Sequence, residues 1–504
     1  MKILHQSQIR EADRQTLALE PISSIALMER AAKACMDWII ERYDNDRPFW
    51  LICGTGNNGG VGLALYRLLT EKKYPCRLFE YPLGQKPSKD YSQNRKRIKE
   101  KEIMKLTPEV LSSPPGEVIL IDALLGTGLN RPLEGMLKKI IQTLNALPNK
   151  VISIDTPSGL FSDFNTDNSF DGIVKATHTL SFQMPKLAFL LPECGEKAGC
   201  FHLLDIEILP SYLDKVQTPY HYLTPKTAKS HFKSPKKFDH KGNNGHLLLI
   251  AGSRGKMGAA VLAAKAGLRT GVGKLSVLTP RCGIEILQTS IPEGMIEINN
   301  GIHSISGYYG LEYKVIAMGP GIGTAAETKD YLQSVLASGT TQMVIDADAI
   351  NLIAAHPEWI DKLPPNTILT PHPKEFERLV GPWENDKDKL ERLRHFVQKH
   401  QLICVLKGAH TGIALPDGNI WFNSSGNTGM ATGGSGDVLT GIIGGLLAKD
   451  YTPEAAALLG VYTHGRAADL QRQFISPPFM LASDIIDGLN GVWMEMEMEN
   501  STQK

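Results

Sequence analysis

Two glycine-rich segments contain residues well suited to chemistry. GTGNNGGVG (54–62) comes directly after the apolar run Phe49–Cys53 and before a helical pattern, and GGSGD (433–437) opens an apolar helix. Glycines at such turns let backbone N–H groups face a ligand at a helix N-terminus, which attracts negative charge. Both segments therefore predict anion-binding sites, although a tight turn that binds nothing would explain 54–62 taken alone.

Asp437 is the residue of the second segment that could transfer a proton. It lies just inside the helix that follows GGSG, where it could accept a proton from an attacking hydroxyl group. A carboxylate in a first turn also has a purely structural explanation, because the helix dipole favours it. Since GGSG is more than a cap requires, we predict that Asp437 is a catalytic base.

Two other loops of the N-terminal half carry acidic and hydroxyl side chains. DALLGTGLNRPLEG (122–135) and DTPSGL (155–160) each follow an apolar strand pattern. Asn58, Asp122 and Ser158 would offer oxygen ligands to a hard, weakly held cation. Asp155 is the remaining carboxylate and is available for proton transfer. Three such loops favour a ligand-binding crevice over empty turns.

The second half carries three more polar motifs, DADAI (346–350), TPHPKEF (370–376) and KGAHT (407–411). His372, between two prolines, could be a structural loop histidine, and Lys407 could be a solvated lysine at a strand end. Phosphate binding by Lys407 depends on its neighbours. The chain has no Walker A sequence and no HRD and DFG motifs, which excludes ordinary P-loop and protein-kinase sites.

Short apolar strands alternate with helical patterns around these loops, which predicts α/β units with doubly wound sheets. Ligands of such sheets bind at the carboxyl ends of the strands, where the loops lie. The best domain boundary is 210–235, which is rich in Pro, Lys and aromatic residues. The predicted strands are Val118–Ile121, Val151–Ile154 and Thr179–Phe182 before the boundary, and Leu247–Ala251, Lys274–Leu278, Val315–Met318, Met343–Ile345 and Ile403–Leu406 after it.

Composition excludes several classes of protein. The 504 residues include 54 Lys and Arg and 53 Asp and Glu, so there is no bulk charge to hold nucleic acid or an anionic membrane. The seven scattered cysteines form no CxxC pair, and their odd number argues against a full disulfide set. No signal-peptide pattern and no apolar run of about 20 residues is present. We expect a cytoplasmic protein without nucleic-acid or membrane partners.

The motifs taken together resemble one known family. The ordered set KGNNGH, GPGIG, DADAI, TPHPKEF, KGAHT and GGSGD is similar to that of the bifunctional NAD(P)H-hydrate repair enzymes, and the resemblance spans nearly the whole chain. It implies an α/β fold with a Rossmann-like three-layer epimerase domain over 1–212 and a linker over 213–222. A ribokinase-like dehydratase domain over 223–495 and a polar tail over 496–504 would follow.

The resemblance also implies the reactions and their cofactors. In that family the epimerase interconverts the R and S forms of hydrated NADH or NADPH (NADHX and NADPHX). The dehydratase restores the S form to NAD(P)H and consumes a nucleotide, ADP in bacterial-type fusions, giving AMP and phosphate. K⁺ in the epimerase site, Mg²⁺ on the nucleotide phosphates and a homo-oligomeric state complete the expectation. Phosphorylation would turn the hydrate's hydroxyl into a good leaving group, which the ring nitrogen then expels.

Site residues are expected wherever this chain matches the family motifs. The epimerase substrate site would comprise Asn57, Asn58, Gly59, Gly60, Val61, Gly126, Thr127, Gly128, Leu129, Asn130, Arg131, Pro132 and Asp155, with Asn58, Asp122 and Ser158 as K⁺ ligands. In the dehydratase, Ala259, Gly323, His372 and Asp437 would bind the hydrate, and Lys407, Gly408, Ala409, His410, Thr411 and Gly436 would bind the nucleotide. Asp437 and Asp155 are the expected catalytic residues.

One residue departs from the family pattern and leaves alternatives open. The family has GxGNNGGDG, whereas this chain has Val61 in place of the aspartate. Thr156 within DTPSGL is a milder departure. A ribokinase-like small-molecule kinase is one alternative, and a non-catalytic N-terminal binding module is another. The retained Asp122, Asp155 and Ser158 favour a small-molecule site, so we expect an epimerase that is slowed by the loss of the carboxylate.

Overall fold

The computed structural model describes residues 1–84, 86–307, 313–338 and 342–501. Two compact units are present. Residues 2–220 with 385–387 form the N-terminal unit, and Met1, residues 221–384 and the described residues from 388 onward form the C-terminal unit. All seven cysteines are free. Among the described residues, no helix combines the length and apolar character needed to cross a membrane.

The N-terminal unit is built on a seven-stranded parallel sheet. Its strands are β1 (Phe49–Gly54), β2 (Cys76–Tyr81), β3 (Ile103–Lys105), β4 (Ile119–Ala123), β5 (Val151–Ile154), β6 (His178–Phe182) and β7 (Cys200–Leu204), in the order β3-β2-β1-β4-β5-β6-β7. Its helices are α1 (Gln6–Leu19), α2 (Ser24–Ile40), α3 (Asn57–Glu71), α4 (Lys89–Arg95), α5 (Pro108–Leu111), α6 (Gly135–Ala146) and α7 (Pro210–Lys215).

The central strands of this sheet are apolar throughout because both faces are covered. Every residue of β1, β4 and β5 is buried, as expected for parallel strands beneath helices. β1 pairs with β2 on one side and with β4 on the other, so the strand order reverses between β1 and β4. Loops on either side of such a reversal diverge and leave a crevice at the carboxyl ends. The segments 54–62 and 122–135 meet at this position.

The C-terminal unit is built on a ten-stranded mixed sheet. Its strands are β8 (Tyr220–Leu223), β9 (His246–Ile250), β10 (Lys274–Thr279), β11 (Met295–Ile298), β12 (Val315–Met318), β13 (Gln342–Ile345), β14 (Ile368–Leu369), β15 (Ile403–Leu406), β16 (Gly412–Ala414) and β17 (Ile420–Asn423). The order is β11-β10-β9-β12-β13-β14-β15-β16-β17-β8. β9 to β15 pair in parallel, whereas β15, β16 and β17 form antiparallel pairs.

Helices flank this sheet and one of them, α15, is buried over most of its length. The helices are α8 (Pro225–Ser230), α9 (Met257–Leu268), α10 (Ile284–Ser290), α11 (Ala326–Ala337), α12 (Ala347–Ala355), α13 (Pro373–Val380), α14 (Asp386–His400), α15 (Ser435–Ala448), α16 (Pro453–Gln471) and α17 (Ala482–Ser501). Gly441 of α15 allows close packing on α9, since a Cβ there would lie 2.0 Å from the Ala263 carbonyl oxygen.

The chain ends differ from a simple polar tail. α17 continues to Ser501, and Met496 is buried, so residues 496–501 are helical where the sequence predicts a polar tail. Within MEMEMEN only Met496 is buried, whereas Met494 and Met498 are exposed, so the alternation of Met and Glu in the sequence gives no sign of this helix. Residues 502–504 lie outside the described residues. The predicted linker, 213–222, overlaps the end of helix α7 and most of strand β8.

Candidate active sites

A cavity of about 710 Å³ lies at the carboxyl ends of the N-terminal sheet. Most residues expected in the epimerase substrate site line it, namely Asn57, Asn58, Val61, Gly126, Thr127, Gly128, Leu129, Asn130, Arg131 and Asp155. The loop 126–129 is held by α1, whose Gln6 side chain donates to the Thr127 and Leu129 carbonyl oxygens. Arg10 Nη2 lies 3.4 Å from the Gly128 carbonyl oxygen.

Three residues of the expected substrate site do not line this cavity: Gly59, Gly60 and Pro132. The two glycines instead allow close packing of α3. A Cβ on Gly59 would lie 1.7 Å from the Gly54 carbonyl oxygen, and one on Gly60 would lie 2.7 Å from Met28 Sδ. Their requirement for glycine therefore has a packing cause, which the sequence pattern does not distinguish from ligand contact.

The three expected K⁺ ligands converge beneath the cavity. Asp122, fully buried, accepts hydrogen bonds from Ser158 Oγ at 2.5 Å and from the Ser158 amide at 2.8 Å. Asn58 Nδ2 donates to the Leu125 and Ile154 carbonyl oxygens at 2.6 and 3.1 Å. Burial raises the pKa of Asp122, although the bonds from Ser158 and Ser153 oppose the shift.

This group fits a hard monovalent cation. The donors are a carboxylate, a hydroxyl and two backbone carbonyls, which are oxygen ligands of the kind that hard cations take. The Asn58 amide N–H group lies among these oxygens and acts on them as a weak positive charge. A half-turn of that amide would present its Oδ1 instead, completing an all-oxygen set.

Asp155 lies at the cavity wall with a cationic partner that the sequence did not identify. Lys186 is 1% exposed, and its Nζ lies 2.8 Å from Asp155 Oδ1. Asp155 has φ 62°, a left-handed conformation that is unfavourable for a residue other than glycine. Its amide donates to the Leu180 carbonyl at 2.7 Å, which fixes this turn. Strained conformations of this kind cluster at functional sites.

A second group of possible metal ligands lies on β6 and β7 of the same unit. His178, Cys200 and His202 offer ligand atoms within 4.8 Å of one another, and His202 Nε2 is 3.2 Å from His178 Nδ1. Burial lowers the pKa of both histidines, to about 4 for His202, so their rings stay neutral at pH 7. These residues include the first residues of β6 and β7, whereas the cavity lies at the carboxyl ends.

The C-terminal unit places GGSGD at the start of α15. The N-cap Gly434 has φ 92°, a conformation that glycine adopts without strain. Lys407 Nζ, at the end of β15, lies 3.3 Å from the position of a Cβ on Gly436. The same Nζ forms an ion pair with the buried Asp346 at 2.9 Å, and Thr440 Oγ1 donates to the other oxygen of that carboxylate at 2.7 Å. A lysine and a helix N-terminus therefore face the same point.

The pKa of Asp437 differs from that of an ordinary surface carboxylate. Burial, and then the negative charge of Asp346, raise the pKa of Asp437 to about 7, while Lys407 opposes the shift. The pKa of Lys407 is itself raised, because Asp346, Glu375 and Asp437 outweigh the effect of burial. A carboxylate with a pKa near neutral pH suits a general base that must both accept and release a proton.

The expected nucleotide loop, Lys407 to Thr411, forms a turn between β15 and β16. Gly408 and Ala409 are exposed, and Thr411 Oγ1 lies 3.2 Å from the Gly408 carbonyl oxygen. His410 Nδ1 lies 3.1 Å from the Asn423 carbonyl oxygen, and burial lowers the pKa of His410. An uncharged histidine and open backbone groups are thus available on one side of Lys407.

The expected hydrate-binding residues lie on neighbouring loops of the same sheet edge. The Gly323 amide donates to Asp348 Oδ2 at 2.8 Å, and Ala259 is in the first turn of α9. His372 is the N-cap of α13, where its Nδ1 accepts from the amides of Lys374 and Glu375. His372 thus has a definite structural role, and its exposed edge leaves Nε2 beside Glu375 at 3.4 Å.

Sequence reasoning missed Asp346, Asp348 and Lys256 in this unit. Both aspartates belong to DADAI, which follows β13, so their position at a strand end was a usable signal. Lys256 Nζ lies 3.1 Å from Asp348 Oδ2, a pairing between residues 92 positions apart that no local pattern indicates. Burial is the largest cause of the raised pKa of Asp437, and the negative charges of Asp346 and Asp348 add to it.

Comparison with known proteins matches two families to this chain. The family described as NAD(P)H-hydrate dehydratase matches residues 247–490, and the one described as YjeF-related protein N-terminus matches residues 24–188. A bifunctional NAD(P)H-hydrate repair enzyme of Moorella thermoacetica is 31% identical over all of this chain and 98% of its own length. One from Escherichia coli is 32% identical over 97% of this chain and 93% of its own.

One solved structure that is similar to this chain is an ADP/ATP-dependent NAD(P)H-hydrate dehydratase from Bacillus subtilis, co-crystallised with ATP and Mg²⁺. It is 32% identical, covers 55% of this chain and 98% of its own, and has a TM-score of 0.49.

Proposed function

This chain belongs to the family of bifunctional NAD(P)H-hydrate repair enzymes, and from that premise we propose which residues perform its two reactions. The N-terminal unit interconverts R and S hydrates of NADH and NADPH. The C-terminal unit dehydrates the S form with ADP, giving NAD(P)H, AMP and phosphate. The observation that carries the dehydratase proposal is the carboxylate of Asp437, whose pKa is raised to about 7 beside Lys407 at the start of α15.

In the dehydratase, Asp437 accepts the proton of the hydrate's hydroxyl as the oxygen attacks the terminal phosphoryl group of ADP. AMP leaves, and the C6 oxygen now carries the phosphoryl group. The ring nitrogen's lone pair then expels phosphate, and loss of a proton from the neighbouring carbon restores the dihydropyridine. Phosphate is a far better leaving group than hydroxide, which explains why a nucleotide is consumed.

The start of α15 stabilises the charge of the transferring group. The first N–H groups of a helix have no partner within the helix, so those of Gly436 and Asp437 can face the phosphoryl oxygens. Lys407 adds a positive charge at the same point, held there by Asp346. Mg²⁺ usually binds to carboxylates together with nucleotide phosphates. Asp346 and Asp348 would therefore be its protein ligands. Bound Mg²⁺ would neutralise phosphate charge.

In the epimerase, the cavity at the carboxyl ends of β1 and β4 binds the hydrated nucleotide. Asn58, Asp122 and Ser158 would hold K⁺, which would fix the charge and shape of the loops around the substrate. Asp155, next to Lys186, moves the proton that epimerisation at C6 requires. The absence of the family carboxylate at position 61 slows this step but leaves the site able to bind.

A single assay tests both activities and the nucleotide. Purified protein is mixed with racemic hydrated NADH, ADP, Mg²⁺ and K⁺, and NADH is followed by its absorbance. We expect full conversion, faster with ADP than with ATP at the same concentration. A plateau near half would leave only the dehydratase, and no recovery with either nucleotide would contradict the proposal.

The same assay separates the alternatives. A stable phosphorylated product would indicate a kinase, and a chain that consumes only the S form would indicate a non-catalytic N-terminal unit.

A cytoplasmic location and a homo-oligomeric state stay predictions from the sequence.

A further inference from the structure

The buried ion pair at the cavity wall carries an inference about the epimerase reaction. The Lys186 ammonium is 1% exposed and is surrounded by oxygens, those of Asp155 at 2.8 Å, Ser181 at 3.1 Å and the Phe182 carbonyl at 3.4 Å. A buried charge is stable only when it is paired and hydrogen-bonded, so Lys186 and Asp155 depend on each other. The ion pair fixes the position of the Asp155 side chain at the edge of the cavity.

A second carboxyl group lines the same cavity from a different element. Asp13 is on α1 and is half-buried. Burial and the negative charge of Asp155 raise the pKa of Asp13 to about 6, while Lys186 opposes the shift. No hydrogen bond contributes to it. One carboxyl group in a buried ion pair and another with a pKa raised to about 6 therefore line one cavity.

Other charged side chains also line the cavity, namely Arg10, Lys86, Asp90 and Arg131. Arg10, on the same helix as Asp13, also lines the cavity and reaches Gly128. Cys35 lies on α2. Burial and then the negative charge of Asp155 raise the pKa of its thiol, so the thiol stays neutral. Asp155 from the end of β5 and Lys186 from the segment after β6 are the charges that act on Asp13.

Epimerisation of a carbinol next to a ring nitrogen needs two proton transfers at different atoms. The C6 hydroxyl loses its proton, the carbonyl forms, and the C6–N1 bond breaks with its electron pair passing to N1, which takes a proton. Rotation about C5–C6 presents the other face of the carbonyl. N1 then loses its proton and attacks C6, and the oxygen takes a proton back. Atoms and electrons balance without an oxidant or a further reactant.

We propose that Asp13 and Asp155 are the two proton-transferring groups of this ring opening and closure, and that Lys186 is the positioning residue that holds the Asp155 carboxylate at the cavity. Asp155 takes the hydroxyl proton and Asp13 supplies the proton to N1, with the roles reversed on closure. This inference rests on the epimerase function proposed above. It adds a second acid and a positioning lysine to the single carboxylate expected from the motifs.

The test uses the full chain and pure R-hydrate of NADH with ADP, so that the chain's own dehydratase reports each S molecule formed. The dehydratase rate is measured separately on pure S-hydrate. We expect Asp13→Asn to lower the R-to-S rate on the order of 10²-fold, a typical loss for removal of a general acid or base, with the rate on S-hydrate unchanged. Asp171→Asn is the control, because Asp171 is a carboxyl of the same unit that is not on α1 and does not line the cavity.

Lys186 is tested through a property that a structural role alone would not change. In Lys186→Met, Asp155 loses its ion pair, so kcat for R-to-S epimerisation should fall much more than KM for the R-hydrate rises, and Lys186→Arg should restore kcat in part. If Lys186→Met does not fold, Asp13→Asn alone still decides the proposal. A rate within threefold of the unmodified chain for Asp13→Asn would overturn it. An unmodified chain no faster than spontaneous epimerisation would instead contradict the epimerase function itself.

Discussion

At the scale of single residues, Asp437 is the most informative position in the C-terminal unit. The sequence left two explanations for it, a catalytic base and a first-turn cap. Its side chain lies among Asp346, Asp348 and Lys407, and the resulting pKa of about 7 is far from that of a surface aspartate. A helix cap does not require this environment, so the charges favour the base.

We predict that Asp437→Asn lowers dehydratase turnover on pure S-hydrate by about 10²–10⁴, because the amide cannot accept a proton. Nucleotide binding should persist, since asparagine is nearly isosteric and still suits a first turn. Glu454→Gln is the control, because Glu454 is an exposed first-turn acid of α16. More than about a third of the original turnover would make Asp437 a structural residue.

The same carboxylate predicts a pH dependence. A base must be unprotonated to act, and burial raises the pKa of Asp437 to about 7. We therefore expect kcat/KM on S-hydrate to be full above pH 8 and to fall as the pH decreases through about 7. The measurement is a profile from pH 5 to 9 on pure S-hydrate, with far-UV circular dichroism at each pH to show that the fold persists. A flat profile down to pH 5 would contradict the assignment.

Val61 tests the larger departure from the family pattern. It is 6% exposed, lines the cavity and is the fifth residue of α3, so a carboxylate there would face the cavity. A charged hydrogen bond contributes about 1.5–3 kcal/mol. We predict that Val61→Asp raises the R-to-S rate roughly ten- to a hundredfold, without changing the rate on pure S-hydrate. Val61→Thr, which keeps the shape without the charge, should show no gain, and an equal gain in both variants would contradict the prediction.

At the scale of elements, the strands next to the sites were predictable and the edge strands were not. Val151–Ile154, Val315–Met318 and Ile403–Leu406 agree with β5, β12 and β15 because buried parallel strands are continuous apolar runs. β3 and β11 are short, partly exposed edge strands whose sequences lack such runs. Short β14 and the hairpin strands β16 and β17 were missed for a similar reason, since their pairing depends on tertiary contacts.

The candidate sites show the same division. Asp155 was identifiable because it follows a parallel strand in a motif loop, and Asp437 because it follows a glycine-rich segment that opens a helix. Asp13 and Lys186 were not, because α1 carries no motif and only the fold brings positions 13, 155 and 186 around one cavity. Conversely, Gly59 and Gly60 were assigned to substrate, whereas packing explains both.

The glycines at the start of α15 lead to a prediction about ADP binding. A Cβ on Gly436 would lie 3.3 Å from Lys407 Nζ, whereas one on Gly433 would have no neighbour within 4 Å. We predict that Gly436→Ala weakens ADP binding about tenfold, the effect of losing about 1.4 kcal/mol, and Gly433→Ala leaves it unchanged. The measurement is the KM for ADP at saturating S-hydrate. Equal KM values in the two variants would show that the nucleotide phosphates do not approach Gly436.

At the scale of the whole molecule, the family expected from the motifs is confirmed by relatives that match the chain over almost its full length. The α/β fold is confirmed as well. Residues of the N-terminal unit, between positions 9 and 208, line the large cavity, whereas Asp437 and Lys407 belong to the C-terminal unit. The residues proposed for each reaction therefore belong to a single unit.

Because the proposed residues of each reaction belong to one unit, we predict that two variants, each lacking one of the two activities, complement each other in solution. Asp155→Asn alone, with racemic hydrate and ADP, should stop near half conversion apart from slow spontaneous epimerisation. Asp437→Asn alone should yield almost no NADH. An equimolar mixture should reach full conversion, because S-hydrate released by the epimerase of one chain diffuses to the dehydratase of the other. NADH absorbance over time is the measurement, and Asp155→Asn alone sets the spontaneous background. A mixture that stops near half, while the unmodified chain goes to completion, would mean that the hydrate must pass within one chain and is not released.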